Sequence, residues 1–507
     1  MPLVSAPLDE PAMTRLATDL AMAAQPGDCL LLSGDLGAGK TTLARAFVRA
    51  LAGDDALDVP SPTFTLVQTY ATSPPVAHYD LYRIGAPEEL DELGLEEALE
   101  TGIVLIEWPE RAGAALPADA IRVTLEETTN KAGADARRVS IEGTEAAIER
   151  IGRSLAVRDL LENAGHGRAA RAPLAGDAST RRYETVTDGA WRAVLMDCPP
   201  MPDGPPIRAG KPYSRIAHLA EDIRPFIAVA RTLVQAGFRA PDIFAVDYAL
   251  GLALMSDLGS EPVVDRARRP IAERYEAAVD LLAALHGRRW SRDLALEDGS
   301  VHHIPDFDAE VMQIEVDLLI DWFLPRQTGK RASDADRARW HSLWSDLFAR
   351  VAAGPKTLVL RDFHSPNLLW HARAEGHDRI GLIDFQDALW GHPAYDLMSL
   401  AHDARVDVPP VLQRGLVDRY CRTRRAVDPA FDEDAFRAAA AILAAQRAAK
   451  ILGIFVRLDA RDGKPAYLAH LPRMKAYLRS ALAHPVLADL RAWLDARGVL
   501  EPKPDHA

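Results

Sequence analysis

The sequence has 507 residues, more than one hydrophobic core ordinarily organises, so two or three domains are expected. Apolar residues make up 48% and charged residues 26% of the chain, a composition that excludes a disordered protein. The formal net charge of -14 speaks against an extended basic surface, and we expect no direct sequence-specific binding of nucleic acid.

Cysteine usage and the apolar segments predict a cytoplasmic protein without a membrane segment. Cys29, Cys198 and Cys421 are far apart and lack metal-ligand spacing, as expected in a reducing compartment. No apolar run approaches the length of a membrane span. The first residues also lack the basic-then-apolar layout of a signal peptide.

A phosphate-binding motif lies close to the start of the chain. The pattern predicts a helix over 14–25 and a strand over 29–33, and the motif G-x-x-x-x-G-K-[ST] follows at once. In such a loop, backbone N–H groups surround phosphate, the lysine reaches the β- and γ-phosphates, and the hydroxyl ligates Mg²⁺. The residues predicted to bind ATP in this way are Gly34, Gly37, Ala38, Gly39, Lys40, Thr41 and Thr42.

Alternating strand and helix patterns follow this motif and predict a small α/β domain over residues 1–152. The predicted strands are 76–82, 103–108, 121–125 and 139–141, and the predicted helices are 87–99 and 144–155. Asp80 and Glu107 fall near the ends of two of these strands. A carboxylate in that position holds Mg²⁺, directly or through water, or orients the attacking water.

The motifs of this first domain resemble the TsaE family of ATPases over residues 8–150. The segments that carry the resemblance are the P-loop, Ser61-Pro62-Thr63-Phe64-Thr65, His78-Tyr79-Asp80 and Glu107-Trp108-Pro109. The resemblance implies that Thr41 and Asp80 serve Mg²⁺ and that 61–65 is a switch-like loop. It also implies that Glu107 and Trp108 shape the nucleotide site, although a half-buried core position is an equal alternative for Trp108. The implied partner is the TsaB–TsaD complex, which makes threonylcarbamoyladenosine in tRNA.

The second half of the chain changes from strands to helices, which predicts two lobes within a domain over 153–507. Strands at 182–187 and 191–197 turn at Asp188-Gly189, and further strands are predicted at 243–247 and 252–255. A loop over 199–213 and a long helix over 216–236 lie between them. After Val263 the pattern is helical apart from short strands at 357–362 and 380–384. We place an N-lobe at about 170–258 and a helical C-lobe at about 259–500.

A second phosphotransfer signature lies in this helical lobe. Asp362 and Asn367 form the pattern D-x-x-x-x-N after an apolar strand, and Asp384 follows the next strand. In kinase-like enzymes the first carboxylate accepts the proton of the substrate hydroxyl, and the amide and second carboxylate bind metal. The sequence therefore predicts Asp362 as the base, with Asn367 and Asp384 as Mg²⁺ ligands.

Four segments resemble the aminoglycoside phosphotransferase and choline kinase superfamily, an α+β protein-kinase-like fold, and within it the AmgK family of sugar kinases. They are residues 176–183, residues 194–200, Arg361-Asp362-Phe363-His364-Ser365-Pro366-Asn367-Leu368, and residues 445–455. The resemblance covers about 155–495 and implies phosphorylation of the anomeric hydroxyl of N-acetylmuramate and N-acetylglucosamine in cell-wall recycling.

Two positions depart from the usual kinase pattern. Leu360 replaces the histidine that usually opens the catalytic triplet, and Met196 lies on the strand where a lysine is expected. Phosphate charge must then be met by other groups. We predict that backbone amides near Ser179 and Thr180 do so, with Arg181 or Arg182 as the cation, although each arginine is equally compatible with a solvated surface position.

Cations are also expected in the sugar site, because N-acetylmuramate carries a carboxylate. Arg447, Lys450 and Arg457 are the candidates, and the alternative for all three is the solvated face of one helix. An amino alcohol or aminoglycoside substrate is a second hypothesis and would favour carboxylates instead. A third hypothesis makes the first half a nucleotide-dependent docking module with little turnover of its own. No residue pattern couples the two halves.

Overall fold

The computed structural model describes residues 3–84, 93–113, 116–130, 132–174, 181–201 and 203–501. The chain divides into two compact units. The first comprises Met1–Pro199 and Phe244–Asp257, and the second comprises Pro200–Ile243 and Leu258–Ala507. The first unit therefore holds the P-loop region and also the strands that the sequence assigns to the N-lobe.

The P-loop region alternates between strands and helices. Its described strands are β1 (Leu3–Val4), β2 (Cys29–Ser33), β3 (Val67–Tyr70), β4 (Val76–Asp80), β5 (Ile103–Glu107), β6 (Ile121–Thr129) and β7 (Asp135–Glu142). Its described helices are α1 (Glu10–Ala23), α2 (Lys40–Ala52), α3 (Leu95–Thr101) and α4 (Glu145–Asn163). The predicted helix over 87–99 lies partly outside the described residues, and the predicted helix over 144–155 continues to Asn163.

The seven strands form one sheet in the order β1-β7-β6-β2-β5-β4-β3. β2 pairs in parallel with β5 and β6, and β4 pairs in parallel with β5. β2 and β5 are buried on both faces and are near-continuous apolar runs, whereas β6 alternates between buried and exposed residues. The register places Leu32 beside Glu107 and Glu107 beside Asp80. The P-loop and both carboxylates therefore lie at one edge of the sheet.

A second sheet follows α4. The next strands are β8 (Ala170–Leu174), β9 (Arg182–Asp188), β10 (Trp191–Asp197), β11 (Pro206–Arg208), β12 (Lys211–Pro212), β13 (Ile243–Asp247) and β14 (Leu252–Ser256). Five of them form a sheet in the order β13-β14-β10-β9-β8, while β11 and β12 pair as a separate hairpin inside the segment predicted to be a loop. The predicted turn between β9 and β10 is confirmed, because Asp188 pairs with Trp191 and Gly189 has a φ of 61°.

The second unit is mainly helical. Its described helices are α5 (Tyr213–Ile216), α6 (Arg224–Gln235), α7 (Ala272–His286), α8 (Ala309–Leu318), α9 (Leu324–Thr328), α10 (Asp334–Ala352), α11 (Ala394–Ala401), α12 (Pro410–Val427), α13 (Glu433–Asp462), α14 (Leu471–Ala481) and α15 (Ala488–Asp495). Its remaining described strands are β15 (Asp293–Ala295), β16 (Val301–His303), β17 (Thr357–Val359), β18 (Leu368–Trp370), β19 (Ile380–Leu382) and β20 (Leu389–Gly391).

The single helix predicted over 216–236 is wrong, because α5 ends at Ile216 and α6 begins at Arg224. His218 has a φ of 50°, outside the right-handed helical region. Pro225 lies in the first turn of α6, where its missing N–H breaks no helical hydrogen bond. The chain therefore restarts as a second helix instead of continuing the first.

α13 passes through the core of the second unit. A Cβ atom on Gly453 would lie 2.3 Å from the carbonyl carbon of Leu318, so glycine permits direct backbone contact between α13 and the end of α8. Among the described residues, α13 is the one helix long and apolar enough to cross a membrane, and 83% of its apolar window is buried inside the protein. The expectation that no segment reaches that length is wrong, but the burial is that of a core helix.

Candidate nucleotide-binding and phosphotransfer sites

The P-loop connects the end of β2 to the start of α2. Gly34, Gly37 and Gly39 have φ values of 146°, 86° and 103°, which residues with a Cβ rarely adopt. Lys40 donates from Nζ to the carbonyl oxygens of Gly34, at 2.6 Å, and of Asp35, at 2.9 Å. The loop is therefore folded around its own lysine. Burial lowers the pKa of Lys40, and the nearby carboxylates of Glu107, Glu110 and Asp80 oppose this shift.

Thr41 and Glu107 contact each other directly. The Thr41 hydroxyl donates to Glu107 Oε2 at 2.8 Å, and His78 Nε2 lies 2.9 Å from Glu107 Oε1. Glu107 is buried, so the hydroxyl and the imidazole are the groups that satisfy its two oxygens. Sequence reasoning gave His78 no role. A role for His78 could have been inferred from its position, because it is a polar residue inside the buried strand β4, which pairs with the strand that ends in Glu107.

Asp80 accepts hydrogen bonds from the loop that precedes β3. Its Oδ2 atom accepts hydrogen bonds from the hydroxyls of Ser61, at 2.5 Å, and Thr63, at 2.8 Å. Its Oδ1 atom accepts from the backbone N–H of Tyr82 at 3.0 Å. The predicted switch-like loop over 61–65 is therefore joined to the carboxylate that the sequence predicts to serve Mg²⁺.

A cavity of about 450 Å³ lies over these groups and is lined by Thr41, Ser61, Asp80, Glu107 and Trp108 among others. Trp108 adopts a φ of 58°, an uncommon conformation for a bulky residue. Its ring centroid lies 3.5 Å from Lys40 Nζ. Trp108 is therefore half-buried and also part of the cavity wall, and its contact with the nucleotide stays a prediction.

A neighbouring cavity of about 280 Å³ shares Gly37, Gly39 and Thr42 with the first. Arg137, on β7, lines it and donates to the carbonyl oxygens of Ala38, at 3.0 Å, and Gly37, at 3.3 Å. Arg137 therefore supports the loop through two of its carbonyl groups. Its position in a polar strand far along the sequence gave no signal of this role.

The D-x-x-x-x-N loop of the second unit is held by a buried aspartate. Asp396, on α11, accepts from the backbone N–H groups of Leu360, at 2.7 Å, and Arg361, at 2.9 Å. Arg361 has a φ of 69°, and this strained conformation directs the chain into Asp362. The structure thus gives Asp396 a bracing role through the backbone.

Asp362, Asn367 and Asp384 are brought together as the sequence predicts. Asn367 Nδ2 donates to the carbonyl oxygen of Asp362, at 2.9 Å, and to Asp384 Oδ2, at 3.1 Å. Gln386 Nε2 donates to the other carboxylate oxygen of Asp384 at 2.9 Å. Asp384 has a φ of 60°, so strained backbone conformations occur at both ends of this constellation.

The charge state of Asp362 follows from its surroundings. Burial alone would raise its pKa, but the positive charges of His364, Lys450 and Arg447 outweigh burial and hold the pKa below its ordinary value of 3.8. The carboxylate is therefore ionised at neutral pH. An ionised carboxylate at the end of a fixed loop can accept a proton from a hydroxyl group.

The buried carboxylate of Glu315 supports the D-x-x-x-x-N loop through Arg361. Glu315, on α8, accepts from Arg361 Nη2 at 2.6 Å, from Gln446 Nε2 at 2.7 Å, and lies 2.6 Å from Lys450 Nζ. Burial would raise the pKa of Glu315, but Lys450 and Arg361 hold it at about 2. The helical-face alternative is wrong for Lys450, because its ammonium is buried against Glu315. Sequence reasoning missed Glu315, whose partners lie far along the chain.

Arg447 and Arg457 lie on α13, and no ion pair within the described part of the chain joins either of them to a carboxylate. Arg447 is buried, its Nε atom has no hydrogen-bond partner, and its guanidinium lies 5.8 Å from the ring centroid of Tyr395. Arg457 lies 5.1 Å from the ring centroid of Tyr213, and its Nε atom is also unpartnered. Burial lowers the pKa of Arg457. The solvated-face alternative is therefore wrong for Arg447 as well.

The predicted phosphate groups of the N-lobe are only partly covered by the structure. Ser179 and Thr180 lie outside the described residues. Arg181 directly precedes β9, and Arg182 begins it, exposed and paired in register with Asp197. Met196 is buried on β10, at the strand position where a lysine is expected.

These two sites define the class of the protein. The first combines a phosphate-binding loop, a hydroxyl and carboxylates, the arrangement of a nucleoside-triphosphate-binding domain. The second combines a carboxylate base with an amide and a carboxylate that can hold metal, the arrangement of a kinase-like phosphotransferase.

Comparison with known proteins agrees with this division. A family model described as "Threonylcarbamoyl adenosine biosynthesis protein TsaE" matches residues 8–139, and one described as "Phosphotransferase enzyme family" matches residues 171–430. An N-acetylmuramate/N-acetylglucosamine kinase of Caulobacter vibrioides is 37% identical, over 65% of this chain and 93% of that protein. A protein of the same name from Pseudomonas aeruginosa is 33% identical, over 63% and 86%. The tRNA threonylcarbamoyladenosine biosynthesis protein TsaE of Rickettsia felis is 46% identical, over 23% and 69%.

The chain belongs to the phosphotransferase enzyme family and carries a TsaE-family domain in front of its phosphotransferase domain. The predicted fusion is confirmed, as is the fold class of a P-loop domain followed by a kinase-like domain.

Proposed function

We propose that the protein is bifunctional. Its phosphotransferase domain transfers the γ-phosphoryl group of ATP to the anomeric hydroxyl of N-acetylmuramate or N-acetylglucosamine. Its TsaE-family domain hydrolyses ATP in support of threonylcarbamoyladenosine formation in tRNA. The observation that carries the first proposal is the Asp362–Asn367–Asp384 constellation, together with relatives that bear the name of this sugar kinase over most of their length.

The kinase chemistry follows from the positions of these side chains. Asp384 and Asn367 offer the oxygen ligands that Mg²⁺ prefers, and bound Mg²⁺ would neutralise phosphate charge there. Asp362 accepts the proton of the C1 hydroxyl while that oxygen bonds to the γ-phosphorus. The bond from the γ-phosphorus to the β–γ bridging oxygen breaks, and ADP leaves. Fixed positioning supplies most of the rate, because this transfer needs little covalent assistance.

The cations on α13 favour a sugar acid over an amino alcohol. Lys450 is already paired with Glu315, so it contributes a positive field at Asp362 instead of a free ligand. Arg447 and Arg457 retain unpartnered Nε donors. A buried arginine without a carboxylate partner is costly, and a carboxylate of the substrate would offset that cost. We therefore assign Arg457, the less deeply buried of the two, to the lactyl carboxylate of N-acetylmuramate.

The first domain is assigned ATP and Mg²⁺ through Lys40, Thr41 and Asp80. The carboxylate of Glu107, which accepts a hydrogen bond from the Thr41 hydroxyl in this structure, orients the attacking water. Leu36 and Phe64 are exposed beside this site, with 80% and 82% of their surfaces accessible. Large exposed apolar side chains beside a catalytic cavity suit a protein partner, and the family indicates the TsaB–TsaD complex. The cytoplasm is the compartment in which both substrates are available.

A panel of sugars incubated with ATP and purified protein tests the kinase assignment. We expect phosphate on C1 of N-acetylmuramate and N-acetylglucosamine with the wild type, and a loss of roughly 1,000-fold or more with Asp362→Asn, by analogy with the loss of a catalytic group. Equal turnover by both proteins would remove Asp362 from this role. Phosphorylation of an aminoglycoside or amino alcohol instead of either sugar would replace the proposed substrate.

The ATPase assignment is tested by measuring ADP release from the Asp362→Asn protein, with and without the TsaB–TsaD complex. We expect stimulation by the complex. If the complex binds but turnover stays unchanged, the first domain is a nucleotide-dependent docking module, the alternative that the sequence leaves open.

A further inference from the structure

Residues 206–222 of the second unit, which include β11, β12 and α5, are attached both to α8 and to the catalytic loop. We refer to them as the α5 segment. Near its start, Arg208 Nη2 donates to Asp317 Oδ2, on α8, at 2.5 Å. In its middle, the carbonyl oxygen of Ala217 accepts from Arg361 Nη1 at 2.8 Å. The α5 segment is therefore fixed by the same guanidinium that precedes the catalytic aspartate.

The end of the α5 segment lies beside the predicted Mg²⁺ ligands. The backbone N–H of Ala220 donates to Asp387 Oδ1 at 2.7 Å. His218 and Gln386 line one cavity of about 430 Å³, and Gln386 Nε2 donates to the carboxylate of Asp384. The α5 segment thus borders the phosphotransfer constellation, where the acceptor of a phosphoryl group must bind.

Tyr213, the first residue of α5, packs against a cation of α13. The centre of its ring lies 5.1 Å from the guanidinium carbon of Arg457. At that distance the face of an aromatic ring attracts a positive charge. The Nε atom of Arg457 is buried and has no hydrogen-bond partner. Within the residues that the structure describes, the ring of Tyr213 is therefore the group that holds this guanidinium.

The acidic residues that follow Arg457 on α13 are already paired with other arginines. Asp459 accepts from Arg326 Nη1 at 2.9 Å, and Asp462 accepts from Arg461 Nε at 2.6 Å. A ring face holds a cation without using its N–H groups. The Tyr213 contact therefore fixes the guanidinium and leaves its donors available for an anion, for which the planar fork of arginine is well suited.

The charge states of the two side chains suit this arrangement. Burial raises the pKa of Tyr213, and the nearby carboxylate of Glu315 acts in the same direction. Tyr213 is therefore neutral at physiological pH and contacts Arg457 as a ring, not as a phenolate. The positive charge of Arg457 thus remains uncompensated by Tyr213 until an anion binds.

We propose that Tyr213 is a positioning residue that sets the preference between the two amino sugars: its ring holds the Arg457 guanidinium where a carboxylate of the acceptor binds it. N-acetylglucosamine has no carboxylate, so its binding does not depend on this contact. The inference rests on the proposed function, in which Arg457 binds the lactyl carboxylate of N-acetylmuramate. It adds that the α5 segment determines how strongly the acidic sugar is preferred.

The test measures the KM for both sugars with full-length variants. Tyr213→Leu removes the ring and Tyr213→Phe keeps it. Tyr467→Leu is the matched control, because the ring of Tyr467 also packs on α13, 5.4 Å from the ring of Phe455. We expect Tyr213→Leu to raise the KM for N-acetylmuramate about fivefold, the effect of one partly buried cation–π contact, and to leave that for N-acetylglucosamine unchanged. Tyr213→Phe and Tyr467→Leu should keep both wild-type values.

An Arg457→Ala background separates positioning from direct contact with the sugar. Adding Tyr213→Leu to Arg457→Ala should change neither KM further, because the ring then has no guanidinium to hold. An additive rise in the double variant would overturn the proposal, and so would an equal rise of both KM values in Tyr213→Leu. A wild-type KM for N-acetylmuramate in Tyr213→Leu, where Arg457→Ala raises that KM, would overturn the inference and leave the proposed function intact.

Failure of the proposed function gives a different pattern. If the wild type phosphorylates neither sugar, or if Arg457→Ala leaves the KM for N-acetylmuramate unchanged, the assignment of Arg457 fails and the inference fails with it. A fall in the amount of folded protein lowers the apparent turnover number without moving either KM, so it does not imitate the expected result. If Tyr213→Leu does not fold, Tyr213→Met decides by the same criteria, because the flexible methionine fills the space without a ring face.

Discussion

Replacing Glu315 with glutamine removes the negative charge from a deeply buried ionic cluster of the second unit. Glu315 has no exposed surface, and its oxygens lie 2.6 Å from both Arg361 Nη2 and Lys450 Nζ. Breaking a buried ion pair by removing one partner costs about 3–5 kcal/mol, because the remaining charge stays buried without compensation. Two cations are left here, so we expect Glu315→Gln to destabilise the second unit by at least about 3 kcal/mol.

The pKa of Glu315 gives a second estimate with a defined sign. Burial raises this pKa, but Lys450 and Arg361 hold it at about 2 in the folded protein, below its ordinary value of 4.5. The associated stability is therefore fully present above pH 4.5 and is lost as the pH falls from 4.5 towards 2. At about 1.4 kcal/mol per pKa unit, the shift from 4.5 to about 2 corresponds to about 3.5 kcal/mol, within the range of the first estimate.

Urea titration followed by amide hydrogen exchange in α8 and α13 measures this loss locally, at pH 7 and at pH 3. We expect Glu315→Gln to unfold at lower urea at pH 7, and the difference from the wild type to narrow at pH 3. Glu310→Gln is the control, since Glu310 lies exposed on the same helix. An unchanged midpoint at pH 7, or a difference that does not narrow in acid, would refute the assigned network.

Three further outcomes are expected. Arg457→Ala should raise the KM for N-acetylmuramate about tenfold and leave that for N-acetylglucosamine unchanged, because one charge-assisted hydrogen bond contributes about 1.5–3 kcal/mol; parallel kinetics with both sugars checks this. Lys40→Ala should abolish nucleotide binding by the P-loop while sugar phosphorylation persists, as measured by titration and kinase assay. Gly453→Ala should lower the melting temperature of the second unit, because its Cβ would overlap the backbone of Leu318 and overpacking costs about 1–3 kcal/mol.

The phosphate-binding loop and the D-x-x-x-x-N loop were predictable because all the residues of each motif lie within one short segment. The spacing of Lys40 and Thr41, or of Asp362 and Asn367, fixes the chemistry before any tertiary contact forms. The central parallel strands β2 and β5 were also predictable, because burial on both faces requires near-continuous apolar residues. The position of Asp80 and Glu107 at one sheet edge followed from the same pattern.

The supporting residues were not predictable in this way. Glu315 meets Arg361 and Lys450 only after folding, and nothing local in α8 distinguishes it from the exposed Glu310 of the same helix. The hydrophobic pattern of α13 also does not say whether a cation on that helix faces water or a buried carboxylate. The interruption between α5 and α6 depends on the backbone of His218, which an apolar periodicity cannot reveal.

The P-loop region and the five-stranded sheet of this fusion share a helix. A flexible linker would leave each domain to fold and act alone, whereas α4 runs continuously for 19 residues and contributes to the cores on both sides. Stability should therefore be shared between the P-loop region and the five-stranded sheet.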